Sequence, residues 1–345
     1  MAEKGHAVFA DAVGEAVREP LRIPATPDTI YDLASLTKPL VTGLLCARSL
    51  ESGALKLNAS VSRYLAEFNQ PDKSSITVQQ LLTHTSGLPA WRPLYLLAES
   101  RDEVLTAIAK EPLQAKPGER VTYSDLGFIV LGLLLQRLHG ADLDHLAERE
   151  IFAPLHLTRT FFLPAEAART GIAACENGNG YERDMCERDF PAKAYSKWRE
   201  STVWGEVHDG NAYFLGGVAG HAGLFSTACE TLCVANQFIG AQSQLLQSPT
   251  CHLFRRNLTP ERNEARSFAW QLAATKDSTA GSSLPADAFG HTGFTGTSCW
   301  IDAEAARVYI LLTNRTHARS LPFANINGAR RQFHSLASAA LRTSR

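Results

Sequence analysis

Ser35 and Lys38 stand three residues apart in Asp32-Leu33-Ala34-Ser35-Leu36-Thr37-Lys38-Pro39-Leu40, ahead of the largely apolar run Val41 to Leu45. On a helix that spacing places a hydroxyl and an amine on one face, one turn apart. Pro39 fits a helix only near its first turn, which predicts a helix beginning close to Ser35. A serine at such a start has unpaired backbone N–H groups beside it that can stabilise an oxyanion. A buried lysine next to it can lose its proton and act as the base toward the hydroxyl. A Ser-x-x-Lys also arises by chance about once in a chain of this length, so a solvated helix start is the alternative. Support has to come from elsewhere in the chain.

Two further segments supply it. Tyr123-Ser124-Asp125 immediately precedes a helix whose apolar positions fill nearly a whole circumference through Leu138, as expected of a core helix. Gly290-His291-Thr292-Gly293-Phe294-Thr295-Gly296-Thr297-Ser298 leads into a strand, and its glycines permit a substrate to approach backbone N–H groups closely. Singly, Tyr123 reads as a core tyrosine and His291 as a turn histidine. The three motifs together, each beside the element it needs, read as one constellation.

The elements that must position them follow from the rest of the chain. Residues 6–16 read as a strand running to a turn at Gly14, and the Ser35 helix is expected to reach about Ser52 with Gly53 beyond its end. Thr77 caps a short helix ending at His84-Thr85-Ser86-Gly87. Residues 94–110 and 142–151 have helical periodicity, and 164–200 is expected to be a long irregular surface loop. Ser298 to Asp302 and Arg307 to Asn314 predict a hairpin, and 329–341 a closing helix. Strands at both ends and a mostly helical middle predict an α/β (α+β) fold, an antiparallel sheet flanked by helices. The expected lobes are 1–50 with 201–345, and a helical insert at 51–200, with the active site at the seam.

Composition bounds the function. The chain of 345 residues has formal net charge -1, with 45% hydrophobic and 20% charged residues, which is ordinary globular composition without a nucleic-acid footprint. No apolar run is long enough to span a bilayer. The start Met1-Ala2-Glu3-Lys4-Gly5-His6 lacks the apolar core of a secretory signal, which reads as cytoplasmic residence, or as periplasmic or secreted if a leader was removed. The seven cysteines are scattered and are expected to be buried free thiols.

Ser35-Leu36-Thr37-Lys38, Tyr123-Ser124-Asp125 and His291-Thr292-Gly293 resemble the S-x-x-K, Y-x-N and K/H-T-G signature of the serine β-lactamase and penicillin-binding-protein superfamily. The similarity is to its branch of class C β-lactamases, D-alanyl-D-alanine carboxypeptidases and family VIII esterases. LLTHTSGLP (81–89), YSDLGF (123–128) and GHAGLFSTA (220–228) share it, and it spans nearly the whole chain. Two residues depart from the pattern. Asp125 stands where β-lactam-processing members usually have Asn, and His291 replaces a lysine and so removes a permanent cation. Members also usually carry a helix and a strand before the region matched by 6–16, so the sheet edge is expected to be incomplete.

The resemblance implies acyl transfer through Ser35, with Lys38 and Tyr123 sharing its proton. It implies an oxyanion hole from the backbone N–H groups of Ser35 and Phe294, and a substrate cleft bordered by Asp125, His291, Thr292 and Gly293. The expected substrate is a small ester, amide or peptidoglycan-like molecule, with no cofactor or metal. Asp125 facing the acylamide of a β-lactam would remove a donor, which predicts better hydrolysis of small esters than of β-lactams, and a nitrocefin-specific gain in Asp125→Asn. The alternatives are a true class C-type β-lactamase, a non-catalytic sensor of peptidoglycan fragments, and a metallohydrolase built on His208, Asp209 and His221. For His208 and Asp209 the blander expectation is a surface histidine and a helix cap.

Overall fold

The computed structural model describes residues 1–193 and 195–343. Its centre is a six-stranded antiparallel sheet made by the two ends of the chain: β1 (Ala2–Glu3), β2 (His6–Ala7), β3 (Gln271–Leu272), β4 (Phe289–Thr292), β5 (Ser298–Asp302) and β6 (Arg307–Leu311). The spatial order is β2-β1-β6-β5-β4-β3. The expected hairpin pairs Arg307 with Asp302 and Leu311 with Ser298, and Ala2 lies opposite Val308. Every residue of β5 is buried, because both faces of the sheet are covered. Trp300 and Tyr309 pack on Ala337 and Leu341 of the Asn327–Thr343 helix, while Cys299, Ile301 and Val308 face the main core.

The apolar run before Ile129 and after it forms the Asp125–His139 helix, buried along most of its length. Ser124 caps it by accepting the Gly127 N–H, and Gly140 ends it with φ 63°. Gly220 lies against Gly132 and the Phe128 carbonyl, where a Cβ on either glycine would collide with backbone. That contact brings the 220–228 segment down onto the helix.

Several expectations are corrected. Residues 6–16 are not one strand: His6–Ala7 joins the main sheet, whereas Glu15–Val17 pairs with Ile23–Pro24 in a ribbon of its own. The Ser35 helix begins as a 3₁₀ turn (Ala34–Leu36), widens into a π-type turn (Lys38–Gly43), and is α-helical only over Leu44–Glu51. Pro39 has no N–H to give a carbonyl one turn back, so the backbone around it departs from regular α geometry. The 94–110 stretch breaks into Leu94–Leu97 and Val104–Lys110. The 164–200 stretch is not a plain surface loop, since it contains a helix, Gly180–Asp189, with Glu182 and Cys186 buried. All seven cysteines are free, but Cys229 is exposed and Cys233 half-buried. Among the described residues no single helix is long and apolar enough to cross a membrane.

Candidate active site

The turn carrying Ser35 is wired in place by its own neighbours. Buried Asp32 accepts the Ala34 N–H at 2.8 Å and, through its other oxygen, the His208 N–H at 2.8 Å. Thr37 Oγ1 donates to the Ala34 carbonyl at 2.7 Å. From the opposite side, Thr295 and Thr297 hydroxyls donate to the carbonyls of Asp32 and Leu33 at 2.9 and 3.0 Å. These bonds hold Ala34 at φ 48°, a left-handed conformation that costs an alanine about 1–3 kcal/mol and needs such over-determination. Gly293 packs against the Leu33 carbonyl and Ala34, so only a residue without Cβ lets the 293–294 backbone reach the serine turn.

Ser35 opens onto a cavity of about 620 Å³. Its Oγ lies 2.8 Å from Lys38 Nζ, and that ammonium also donates to the His221 carbonyl at 3.0 Å and meets Asp125 Oδ1 at 2.7 Å. Burial pulls the Lys38 proton affinity down, but the Asp125 carboxylate and Tyr123 beside it more than reverse this and hold it above the ordinary lysine range. Burial raises the Tyr123 phenol, while Lys38 pulls it the other way; the Tyr123 hydroxyl interacts with both Lys38 and Ser35.

Behind Tyr123 stand two histidines, with ring centroids at 4.6 Å for His84 and 5.7 Å for His291. His84 Nδ1 accepts the Ser124 N–H at 3.0 Å, so its proton is on Nε2. His291 Nδ1 donates to the Thr292 carbonyl at 2.8 Å, which leaves Nε2 bare. Burial, followed by Arg266, keeps His84 well below the ordinary histidine range; for His291 burial is followed by Lys38. Both rings are therefore neutral at physiological pH.

The structure brings Ser35, Lys38, Tyr123 and Asp125 into one cluster, with His291, Thr292, Gly293 and Phe294 along the adjacent wall. The Phe294 ring stacks on His208 at 5.4 Å and meets Tyr181 at a tilt at 4.9 Å. Asp125 lines the cavity but commits one oxygen to Lys38, contrary to a carboxylate that simply faces substrate.

Three cations absent from the sequence reading also line the cavity: Arg266, Arg315 and Arg330. The loss of a lysine at His291 therefore does not leave this region without positive charge. Arg266 pairs with Glu264 at 2.6 Å, whereas among the described residues Arg315 and Arg330 have no carboxylate partner: they donate to backbone carbonyls and the Asn327 amide oxygen, and Arg315 also lies over the Phe294 and Phe323 rings. No motif surrounds any of the three.

The histidines suspected of metal binding are each answered by a carboxylate. His208 Nε2 is 2.8 Å from Glu176, and His221 Nε2 is 2.9 Å from Asp209. His208 is buried rather than on the surface, while Asp209 does cap a helix by accepting the Ala212 N–H. Among the described residues no three His, Cys, Asp or Glu side chains are grouped to hold a metal ion.

Comparisons with known proteins agree with this architecture. Two curated relatives bear the name "Putative D-alanyl-D-alanine carboxypeptidase". The one from Escherichia coli (strain K12) is 31% identical over 320 residues, 86% of this chain and 71% of the relative. That from Salmonella agona (strain SL483) is 32% identical over 326 residues, 88% and 72% of the two chains. Among solved structures, "EstCE1, a hydrolase with promiscuous acyltransferase activity" superposes with TM-score 0.73 at 22% identity, covering 96% of this chain and 91% of that one. A β-lactamase/D-alanine carboxypeptidase from Pseudomonas syringae gives 0.70 at 17%, covering 94% and 88%. At such identities these two structures establish the fold. Residues 2–332 match the family described as Beta-lactamase, and the chain belongs to that family.

Proposed function

We propose that the chain is a serine hydrolase that works through an acyl-enzyme on Ser35. The observation that carries this reading is the 2.8 Å contact between Ser35 Oγ and Lys38 Nζ at the floor of an open cavity. Ser35 attacks the substrate carbonyl as its proton passes to the Lys38–Tyr123 pair. The backbone N–H groups of Ser35 and Phe294 receive the oxyanion, and the same pair returns the proton to the leaving group. A water then repeats the sequence in reverse and frees the acid. Lys38 and Tyr123 titrate as a unit, so the base is the pair.

The substrate class we favour is a small acyl compound whose departing part carries a carboxylate, as a D-alanyl-D-alanine peptide does. Arg315 and Arg330, cavity-lining cations without a carboxylate partner among the described residues, support it, as do the names of the curated relatives. A simple carboxylester is the second reading, favoured by the apolar rings of Trp91, Tyr181, Phe294 and Phe323 along the cavity. A panel of p-nitrophenyl acetate, nitrocefin and a D-Ala-D-Ala peptide, with Ser35→Ala as blank, tests both. Peptide release above the blank supports the first reading and ester turnover alone the second. No turnover of any substrate contradicts the hydrolase and leaves the sensor.

A further inference from the structure

Lys38 Nζ lies against Asp125 Oδ1, Ser35 Oγ and the His221 carbonyl, with the Tyr123 hydroxyl beside them. An ammonium has three hydrogens and no lone pair, so in this arrangement it cannot take a proton from Ser35. Asp125 is held on it by the start of its helix. Its own N–H donates to the Ala90 carbonyl at 2.8 Å, and the preceding Ser124 hydroxyl is fixed on the Pro89 carbonyl at 2.6 Å.

We propose that Asp125 is a positioning residue that acts on the proton of Lys38 and not on the substrate. It keeps the lysine of the free enzyme as an ammonium, and acyl transfer waits until that proton is lost to solvent. This rests on the acyl-enzyme reading above. After the loss, the Ser35 Oγ–H proton passes to the free lone pair of Lys38 as the Oγ–carbon bond forms and the carbonyl electron pair moves to oxygen. The proton then goes to the leaving group as its bond to carbon breaks.

The other groups facing Lys38 do not offer the same control. Tyr123 is a neutral phenol held up by burial. His84 and His291 are neutral, and Arg266 is a permanent cation over the Tyr123 ring, 5.8 Å from its centroid. Asp209, the second carboxylate that senses Lys38, is already bound to His221. Asp125 is the carboxylate in direct contact with Lys38 at 2.7 Å, and after burial, which favours the neutral amine, it is the largest influence on the lysine and acts in the opposite direction, with Tyr123 adding to it.

The test is the pH dependence of kcat/KM for p-nitrophenyl acetate and nitrocefin, corrected with Ser35→Ala. In the wild type the acid limb should lie above neutral pH. Asp125→Asn keeps the shape and an oxygen toward Lys38 but removes the anion, so the limb should move down by about 1–3 pH units. Activity at pH 7 then rises about tenfold or more, for both substrates together. Asp125→Glu, which restores the anion, should return the limb toward its wild-type position. An unmoved limb in the Asn variant, or a gain confined to nitrocefin, overturns the proposal. Should the variant not fold, the rate at which a fluorophosphonate labels wild-type Ser35 reports the same limb, and a half-maximal rate below pH 7 overturns it. Labelling of Ser35 with the limb misplaced removes the role of Asp125 and spares the acyl-enzyme; no labelling at any pH overturns both.

Discussion

Two buried cations, 0% and 6% exposed, are treated oppositely: Lys38, which touches the cavity-lining Ser35 and Asp125, and Arg330, which lines the same cavity. Lys38 meets a carboxylate at 2.7 Å and holds its proton more tightly than an ordinary lysine. Arg330 donates to the carbonyls of Gly293, Gly296 and Thr297 and to the Asn327 amide oxygen. Burial, followed by its neighbour Arg315, pulls it down to about 10. A buried charge without a counter-ion is costly, whereas a paired one is largely answered. The difference divides the cavity. At the Lys38 end the cation is answered by Asp125 within the protein. At the Arg315–Arg330 end neither cation has a carboxylate partner among the described residues, and an anionic part of a substrate would balance them.

If that division holds, damage at the two ends should differ in kind. Ser35→Ala should lower turnover of every substrate by about 10⁴-fold or more, without regard to charge, in a steady-state assay. Loss confined to one substrate class would place the chemistry elsewhere. Arg315→Gln should instead act selectively. Hydrolysis of a D-Ala-D-Ala peptide should fall about tenfold to a hundredfold relative to p-nitrophenyl acetate, the effect of one charge-assisted hydrogen bond. Because Arg315 also supports the Phe294 carbonyl at 2.7 Å, the ratio of the two rates is the readout. An unchanged ratio breaks the comparison.

The smallest effect concerns Glu182, a buried acid that lines the same cavity. Burial, with Asp209 adding to it, pushes its carboxyl up to about 7, from an ordinary value of 4.5. A folded-state value above the unfolded one means that the protonated form favours folding. That contribution is complete below the unfolded value and is lost as pH rises through about 7. Glu182→Gln can keep the Gly210 N–H bond and reverse the one with Tyr95, so it should escape the loss. Urea unfolding at pH 5 and pH 8 should show wild type falling by about 1–2 kcal/mol more than the variant. Equal falls would mean that Glu182 is not held protonated.

Much of the Lys38 end was legible in the sequence because its parts are local. Ser35 and Lys38 are one turn apart, Tyr123 and Asp125 begin a strongly apolar helix, and His291 to Phe294 flank a glycine whose missing Cβ has a physical reason. The antiparallel pairing was legible from two strand-like runs, Ser298–Asp302 and one starting at Arg307, joined by a short connection. The Arg315–Arg330 end was not, because its cations come from a loop and from a terminal helix and stand in no spacing that marks them. His84 was in view within LLTHTSGLP without a role, since its φ of 58° and its contact with Tyr123 depend on tertiary packing. The Gly180–Asp189 helix escaped because it is polar on most of its surface and buries only Glu182 and Cys186. The pairing of Asp125 with Lys38 joins residues far apart in the chain, and neither local pattern announces it.

The central claim is that Ser35 forms the covalent intermediate, and mass spectrometry of the fluorophosphonate-treated protein tests it most directly. We predict one added probe mass, located on the peptide containing Ser35, with hydrolytic activity lost in proportion to labelling and no adduct in Ser35→Ala. An adduct on a different serine, or full labelling of Ser35 with activity intact, would contradict it.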